Sequence, residues 1–404
     1  MKLLNLSKEY VQDLNYFLEY AESKRGIETD ELYPNESIHL NFYFNHSKQE
    51  LEFFVNDYLE KNEVRNDFDF YYMLNCIIKY MSGESDSHTR IFMKKNVWFP
   101  IRFKLLEDGI YIDRCFNEKS LKKKVIKING IDIDKVLNEI EKCTSYGTRG
   151  WLYSCIESFL YNRNNLLSLP SINCDSIEIS YEMEDGSLIS FNTNDNYEKI
   201  NLFPKEDNQR CQVYNDIFVF KYPSCKSKFA PIINEIDELI KHNNIKKFVL
   251  DLRGNTGGNS NIIKDLIEYL GRSNLELFTI VDRNVFSSGR FAAIEMKGIG
   301  SKIVGEEIGT PINCFGYVSG NGLTPNSNIN FSFSRVYWYE SNNKIQGIFT
   351  KNDLSKQNDY FFVPKYLHID IPIEITSEEY INSNGDLFLK KCIYLIENVR
   401  TMKR

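Results

Sequence analysis

The sequence predicts an α/β protein, and three observations carry that prediction. Strand-like and helix-like segments alternate through the last half of the chain. Phe248-Val249-Leu250-Asp251-Leu252 is a near-continuous apolar run, the pattern of a parallel strand buried on both faces. Glycine- and serine-bearing joins, Arg253 to Ser260 and Val285 to Gly289, sit between such strands and the helices after them. This rhythm is that of right-handed strand-helix-strand crossovers over one sheet.

The elements before that core read in order as helices, then short strands. Ser7 caps a helix with Val11, Leu14, Phe17, Leu18 and Ala21 on one face. Ser47 caps a second, with Leu51, Phe54, Val55, Tyr58 and Leu59 inward. A third runs from about Asp67 through Phe70, Met73, Leu74, Ile77, Ile78 and Met81, and stops at Ser82-Gly83. A polar loop, Glu84 to Thr89, follows. From about Val97 the pattern shortens to strands: Phe99 to Phe103, Ile110 to Ile112 after the Asp108-Gly109 turn, and Val125 to Gly130. A helix fits Ile133 to Ile140 and another Trp151 to Tyr161. Ile177 to Met183 and Leu188 to Phe191 flank Asp185-Gly186 as a hairpin. In the core, Ile217 to Phe220 is a strand. A helix carries Ile232, Ile233, Ile236, Leu239 and Ile240. The buried strand at Phe248 comes next, then helix Ile262 to Leu270, strand Leu277 to Val281 and helix Ser287 to Met296. The expected units are therefore residues 1–95, helical and carrying the polar loop; 96–145, a small β-rich module; 146–210, a helical and hairpin connection; and 211–404, the α/β core.

Composition excludes several function classes. The 404 residues are 42% hydrophobic and 26% charged, so the chain is not a disordered one. With 49 basic and 56 acidic residues the formal net charge is −7, which argues against a role on nucleic-acid backbones. No apolar run reaches the length of a membrane span or a signal peptide, so the chain reads as cytoplasmic; an exported, processed form is an alternative left open. The nine cysteines are odd in number and scattered, without a Cys-x-x-Cys pair, which points to reduced thiols. Among five histidines there is no His-Glu-x-x-His pattern, and no Gly-x-x-x-x-Gly-Lys loop occurs. No metal or cofactor is implied.

Three segments carry groups suited to chemistry. Arg253-Gly254-Asn255-Thr256-Gly257-Gly258-Asn259-Ser260 joins a strand to a helix, where glycines permit positive φ and free N–H groups can hold a negative oxygen. Read alone, it is equally a tight turn. Val285-Phe286-Ser287-Ser288-Gly289 repeats the arrangement one unit later. A serine there can act as a nucleophile with the next N–H binding the oxyanion, or simply cap the helix. A serine nucleophile needs a base, and His88, beside Asp86 and Ser87 in the polar loop, is the candidate. His39, His46, His242 and His368 read as packing or surface residues.

Taken together these segments resemble the tail-specific, or C-terminal-processing, serine peptidases, in particular their tricorn-core branch. The family's Asp-Leu-Arg-x-Asn-x-Gly-Gly motif is matched by Asp251-Leu252-Arg253-Gly254-Asn255-Thr256-Gly257-Gly258. Its Asp-Gly-His-Thr motif is matched by Asp86-Ser87-His88-Thr89, and its Phe-Ser-Ser-Gly-Glu by Phe286-Ser287-Ser288-Gly289-Arg290. A following Val-Gly-Glu stands at Val304-Gly305-Glu306. The four occur in the family's order, over about residues 68 to 396. The resemblance implies a crotonase-like catalytic core with a helical N-terminal region. It also implies a small PDZ-like insert, suggested by Val125-Ile126-Lys127-Ile128-Asn129-Gly130-Ile131, although the usual carboxylate loop is not seen near Phe99 to Phe103.

The family's roles would fall on Ser287 as nucleophile, His88 as general base and Ser87 in the relay behind it. Ser288 with Gly257 or Gly258 would form the oxyanion hole. Many members pair serine with a lysine after Val-Gly-Glu. Here Glu306 to Gly316 holds no lysine, which favours the Ser–His arrangement. Glu340 is the first choice for the family's late relay carboxylate, with Asp359 and Asp370 as rivals. Arg290 stands where the family often has glutamate. The implied function is a serine endopeptidase acting on peptides or unfolded protein segments through an acyl-enzyme. The alternative is an inactive protein on the same scaffold that binds a peptide or an apolar ligand.

Overall fold

Ser7 accepts a hydrogen bond from the Tyr10 N–H at 3.3 Å and so opens the first helix, α1, Lys8–Lys24. The computed structural model describes residues 6–24, 46, 48–84, 86–94, 96–197, 210–341, 344–346 and 365–399. The second cap expected from sequence, Ser47, lies outside them, as do His39 and Asp359. Helix α2 spans Lys48–Lys61 and α3 spans Asp67–Ser82. The Asn66 side chain accepts from the Phe68 and Asp69 N–H groups at the start of α3, and Gly83, at φ 54°, ends it. Leu14, Phe17, Val55, Phe70, Leu74 and Ile77 of these helices share a core with Phe315, Phe331 and Phe333 from far along the chain. Strand β1, Arg90–Phe92, follows the polar loop.

The β-rich module is larger than the sequence suggests. Its strands are β2 Ile101–Leu106, β3 Gly109–Cys115, β4 Lys124–Ile128, β5 Ile131–Asp132, β6 Glu178–Met183 and β7 Leu188–Asn192. Between β5 and β6 lie α4 Ile133–Cys143, α5 Arg149–Phe159 and α6 Arg163–Ser168. The sheet runs β2-β3-β4-β6-β7, with β5 on β4, and every pairing is antiparallel. The boundary expected at residue 145 therefore cuts through one sheet. The hairpin β6–β7 pairs β4, and its Ile179, Tyr181 and Phe191 share a core with Val136 and Ile140 of α4.

The second half of the chain is built on another six-stranded sheet. Its elements in chain order are β8 Cys211–Tyr214, β9 Ile217–Lys221, α7 Ile233–His242, β10 Lys247–Asp251, α8 Lys264–Gly271, β11 Glu276–Val281, α9 Ser288–Gly298 and β12 Lys302–Gly305. After them come β13 Cys314–Leu323, β14 Asn330–Ser341, β15 Lys344–Gln346, β16 Ile371–Pro372, α10 Ser377–Asn382 and α11 Leu387–Asn398. The sheet order is β16-β12-β11-β10-β9-β8, parallel throughout except for β8 on β9. Alternate side chains go to opposite faces. Phe218, Phe220, Phe248 and Leu250 pack with residues of α7, α8 and α9; Ile217, Val219 and Val249 pack with Leu389, Cys392 and Ile393 of α11. Burial on both faces explains the continuous apolar run at β10.

A third sheet, β1-β14-β13 with β15 on β14, pairs a strand that precedes the β-rich module with a hairpin that follows the parallel core. Arg90, Ile91 and Phe92 pair Ser332, Phe331 and Asn330. The polar loop before β1 is thereby fixed against the hairpin β13–β14, which lies beside the core's strand ends.

Candidate active site

Two tight joins leave the carboxyl ends of neighbouring parallel strands, the place where open α/β sheets form their crevice. The first follows β10. Its leading residues are struts. Asp251 accepts from the Arg253 backbone N–H at 3.1 Å and Nε at 2.9 Å, and Arg253 forks onto Asp386 at the start of α11, at 2.8 and 2.9 Å. These contacts hold the Arg253 guanidinium firmly charged against its own burial. Asn255 is buried; its Nδ2 donates to the Tyr222 carbonyl at 2.8 Å and its Oδ1 accepts from the Gly257 N–H at 2.9 Å. Its carbonyl accepts from the Phe286 N–H at 2.9 Å, which ties the first join to the second.

Both glycines are required by close approach as well as by φ. At Gly257, φ 106°, a Cβ would lie 2.8 Å from Ser287 Cβ and 2.9 Å from the Ser288 nitrogen. At Gly258, φ 136°, it would lie 2.3 Å from the Cys225 carbonyl oxygen. The two differ in what their N–H groups do. That of Gly257 is committed to Asn255, whereas that of Gly258 makes no backbone or side-chain hydrogen bond among the described residues.

The second join carries Ser287 at φ 52°, ψ −120°, a region that non-glycine residues rarely occupy and that costs about 1–3 kcal/mol. Ser287 occupies the N-cap position of α9, yet its side chain makes no capping hydrogen bond. Its backbone N–H donates to Thr310 Oγ1 at 3.2 Å. The hydroxyl is left over at a sharp strand-to-helix turn, the geometry of a nucleophile elbow. Ser288 begins α9 and its own hydroxyl donates to the Gly258 carbonyl at 2.7 Å. Its N–H, in the first turn, has no partner within the helix.

The polar loop is organised by Asp86. One carboxylate oxygen accepts from the His88 and Thr89 N–H groups, each at 2.9 Å. The other accepts from Thr89 Oγ1 at 2.5 Å and Ser334 Oγ at 2.6 Å. Ser145 donates to the Asp86 carbonyl at 2.5 Å. So fixed, His88 is buried, its ring centroid 4.4 Å from that of Phe286, the residue before Ser287. A Cβ on Gly316 of β13 would lie 3.8 Å from His88 Cε1. Neither imidazole nitrogen makes a hydrogen bond, and none joins His88 to Ser287. Burial first, then the charges of Arg90 and Arg290, hold the His88 pKa well below 6.5, against a smaller opposing effect of the Phe315 backbone. The ring is thus neutral at pH 7 and able to accept a proton.

The remaining candidates lie as follows. Ser87 is buried and its hydroxyl makes no hydrogen bond. Glu340 pairs with Lys365 Nζ at 2.5 Å and donates its backbone N–H to Asn313 Oδ1; no hydrogen bond takes it to Ser87 or His88. Asp370 accepts from the Ile303 N–H at 2.8 Å, where the edge strand β16 begins beside β12. Arg290 is fully buried, and its Nη1 donates to the Pro311 carbonyl at 3.0 Å and meets Cys314 Sγ. It ties α9 to the segment entering β13. Glu306 pairs with Arg283 at 2.9 Å, and Arg283 also donates to the Leu105 carbonyl, so the Val-Gly-Glu segment links the core to the β-rich module. Among the described residues no cluster of His, Cys, Asp and Glu is placed to hold a metal, and no helix is long and apolar enough to cross a membrane.

No family model matches the chain, and no curated protein does. Solved structures do. The structure of mature CPAF complexed with lactacystin is 12% identical, covers 97% of this chain and 97% of its own, and superposes with a TM-score of 0.62. That of mature CPAF alone is 12% identical, covers 97% and 96%, and gives 0.58. A photosystem II D1 C-terminal processing protease matches at 11% identity, over 91% of this chain and 94% of its own, with a TM-score of 0.38. The likeness to CPAF shows a shared fold along nearly the whole chain.

Proposed function

We propose that this chain is a serine peptidase of the tail-specific type, cleaving peptides or unfolded protein segments. The observation that carries the reading is Ser287 itself. A serine held at φ 52° with no capping bond serves no evident purpose in the fold, and strain of this kind gathers at functional positions. A neutral imidazole lies one ring away.

In this reading Ser287 Oγ attacks the scissile carbonyl carbon while His88 takes its proton. The Ser288 and Gly258 N–H groups bind the developing oxyanion; Gly258 is preferred over Gly257 because the Gly257 N–H already serves Asn255. His88 then gives the proton to the leaving amine, and a water activated by the same imidazole hydrolyses the acyl-enzyme. Ser87 and Glu340 as relay groups require both to turn from their present partners or neighbours toward His88. The core is proposed as crotonase-like and the antiparallel module as PDZ-like.

The second reading, a binding protein on the same scaffold, is favoured by the absence of a Ser287–His88 hydrogen bond. A fluorophosphonate probe separates the two. Adduct mapped by mass spectrometry to Ser287, and lost in both Ser287→Ala and His88→Gln, supports the peptidase. Folded protein that takes up no probe favours binding.

A further inference from the structure

An open cavity of about 230 Å³ lies against the His88 loop without including His88, Phe286 or Ser287 in its walls. Ser87, Thr89 and Arg90 form one side, α3 contributes Asn75, and α5 contributes Trp151 and Ser158. We propose that this cavity is a binding site for a small carboxylate that also offers hydroxyl or amide groups, and that its occupant repositions His88. The coupling to His88 rests on the peptidase reading above; the binding itself does not.

Three features point to that chemistry. Arg90 is the cationic side chain of the wall, and no carboxylate among the described residues pairs with it. Its guanidinium lies 5.3 Å from the ring centres of both Trp151 and Phe286, which orients it without neutralising it. A carboxylate is the planar, bidentate complement of that group. The rest of the polar wall is hydroxyl and amide, suited to neutral donors and acceptors. Ser87, 3% exposed, brings to this wall a hydroxyl with no partner, a buried group that is stabilised by gaining one.

The cavity is also mechanically continuous with the candidate base. Arg90 rests on Trp151 and Phe286, those two rings stack at 4.0 Å, and Phe286 meets His88 at 4.4 Å. Ser87 and Thr89 flank His88 in sequence. An anion on Arg90 would also offset one of the two charges opposing protonation of His88. Occupancy and the state of His88 are then linked reciprocally.

The test uses two probes, each against its amide: L-lactate for a free hydroxy acid and N-acetyl-L-serine for the carboxyl end of a peptide. Binding is read by calorimetry. The His88 Cε1–H resonance of histidine-labelled protein, assigned with His88→Gln, is followed in parallel. The expected result is binding of at least one acid, with the amide and the Arg90→Gln protein each at least about tenfold weaker. Ser158→Phe, which fills the cavity from α5, should abolish binding. The His88 resonance should shift on saturation. Binding of neither acid, equal binding of acid and amide, or binding unchanged in both variants overturns the site. Binding with an unmoved His88 resonance overturns the coupling. None of these readouts depends on peptidase activity, so failure of the catalytic assignment is seen separately in the fluorophosphonate experiment.

Discussion

Phe286 and His88 face each other with ring centroids 4.4 Å apart and planes inclined by 35°. The contact joins the residue before the strained serine to the polar loop that precedes β1. Phe286 also stacks on Trp151 of α5, at 4.0 Å, so three segments meet at one ring. A backbone bond from Phe286 to Asn255 adds the glycine-bearing join.

Substitution of Phe286 therefore acts on two properties that can be separated. Phe286→Leu keeps apolar volume and loses the stacked faces. It should slow fluorophosphonate labelling of Ser287 by about fivefold, one lost orienting contact being worth roughly 1 kcal/mol. Phe286→Ala adds a cavity and should cost about 3–5 kcal/mol of folding stability. Labelling rates and denaturant melts on the two variants check both. An unchanged labelling rate in Phe286→Leu would mean that the ring does not position His88.

Ser287 offers a test through stability alone. Glycine occupies φ 52° without the penalty of a side chain, so Ser287→Gly should raise stability by about 1 kcal/mol, the relieved strain exceeding the entropy lost. Ser287→Ala keeps the strain and should leave stability within about 0.5 kcal/mol of the parent. Both variants should lose peptide cleavage by on the order of 10⁴-fold or more. Gain of stability with loss of activity is the mark of strain held for function. Cleavage surviving in either variant refutes Ser287 as nucleophile.

The parallel core was legible because β10 is buried on both faces and reads as one apolar run. Ser287 and His88 stand out in the sequence as candidates through local motifs at a strand end and in a polar loop, and the structure brings their segments together at Phe286. The hairpin β13–β14 was not, since Gly316, Gly320 and Gly322 interrupt its alternation. That hairpin brings Ser334 to Asp86, so Asp86's part in fixing the loop was hidden with it. The extent of the β-rich module was missed because β4 and β6 are neighbours in space with three helices between them. Asn255 and Arg290 act through contacts to Tyr222, Phe286, Pro311 and Cys314, which no spacing rule gives.

The pH dependence follows from the burial of His88. Facing it are Arg90 at the start of β1, Arg290 of α9, Asp86 of the loop and the Phe315 backbone of β13. The folded-state pKa is held below the ordinary 6.5, so below that pH the unfolded chain takes up a proton that the folded chain refuses. This contribution is complete above about pH 6.5 and is lost as the pH falls toward the folded-state value. Its limiting slope is about 1.4 kcal/mol per pH unit. His88→Gln should flatten that part of the stability curve between about pH 6.5 and pH 5. The same shift keeps the base neutral in mild acid, so the acidic limb of kcat/KM should lie below that of an ordinary imidazole. An acidic limb at pH 7 or above would contradict a buried neutral base.

The two glycines allow a last separation, between shape and oxyanion binding. A Cβ on Gly257 meets Ser287 and the Ser288 nitrogen, atoms of the site itself, at 2.8 and 2.9 Å. A Cβ on Gly258 meets the Cys225 carbonyl at 2.3 Å, on the side of the join that packs into the core. Gly257→Ala should therefore displace the serine elbow and abolish labelling while costing a modest 1–2 kcal/mol, roughly the strain of one misplaced Cβ. Gly258→Ala must break the Cys225–Gly258 bridge, so it should cost about 3 kcal/mol or more. A folded Gly257→Ala protein that still labels at the parent rate would show that the join does not shape the site. If Gly258→Ala is as stable as the parent, its N–H is not held where the proposed oxyanion hole needs it.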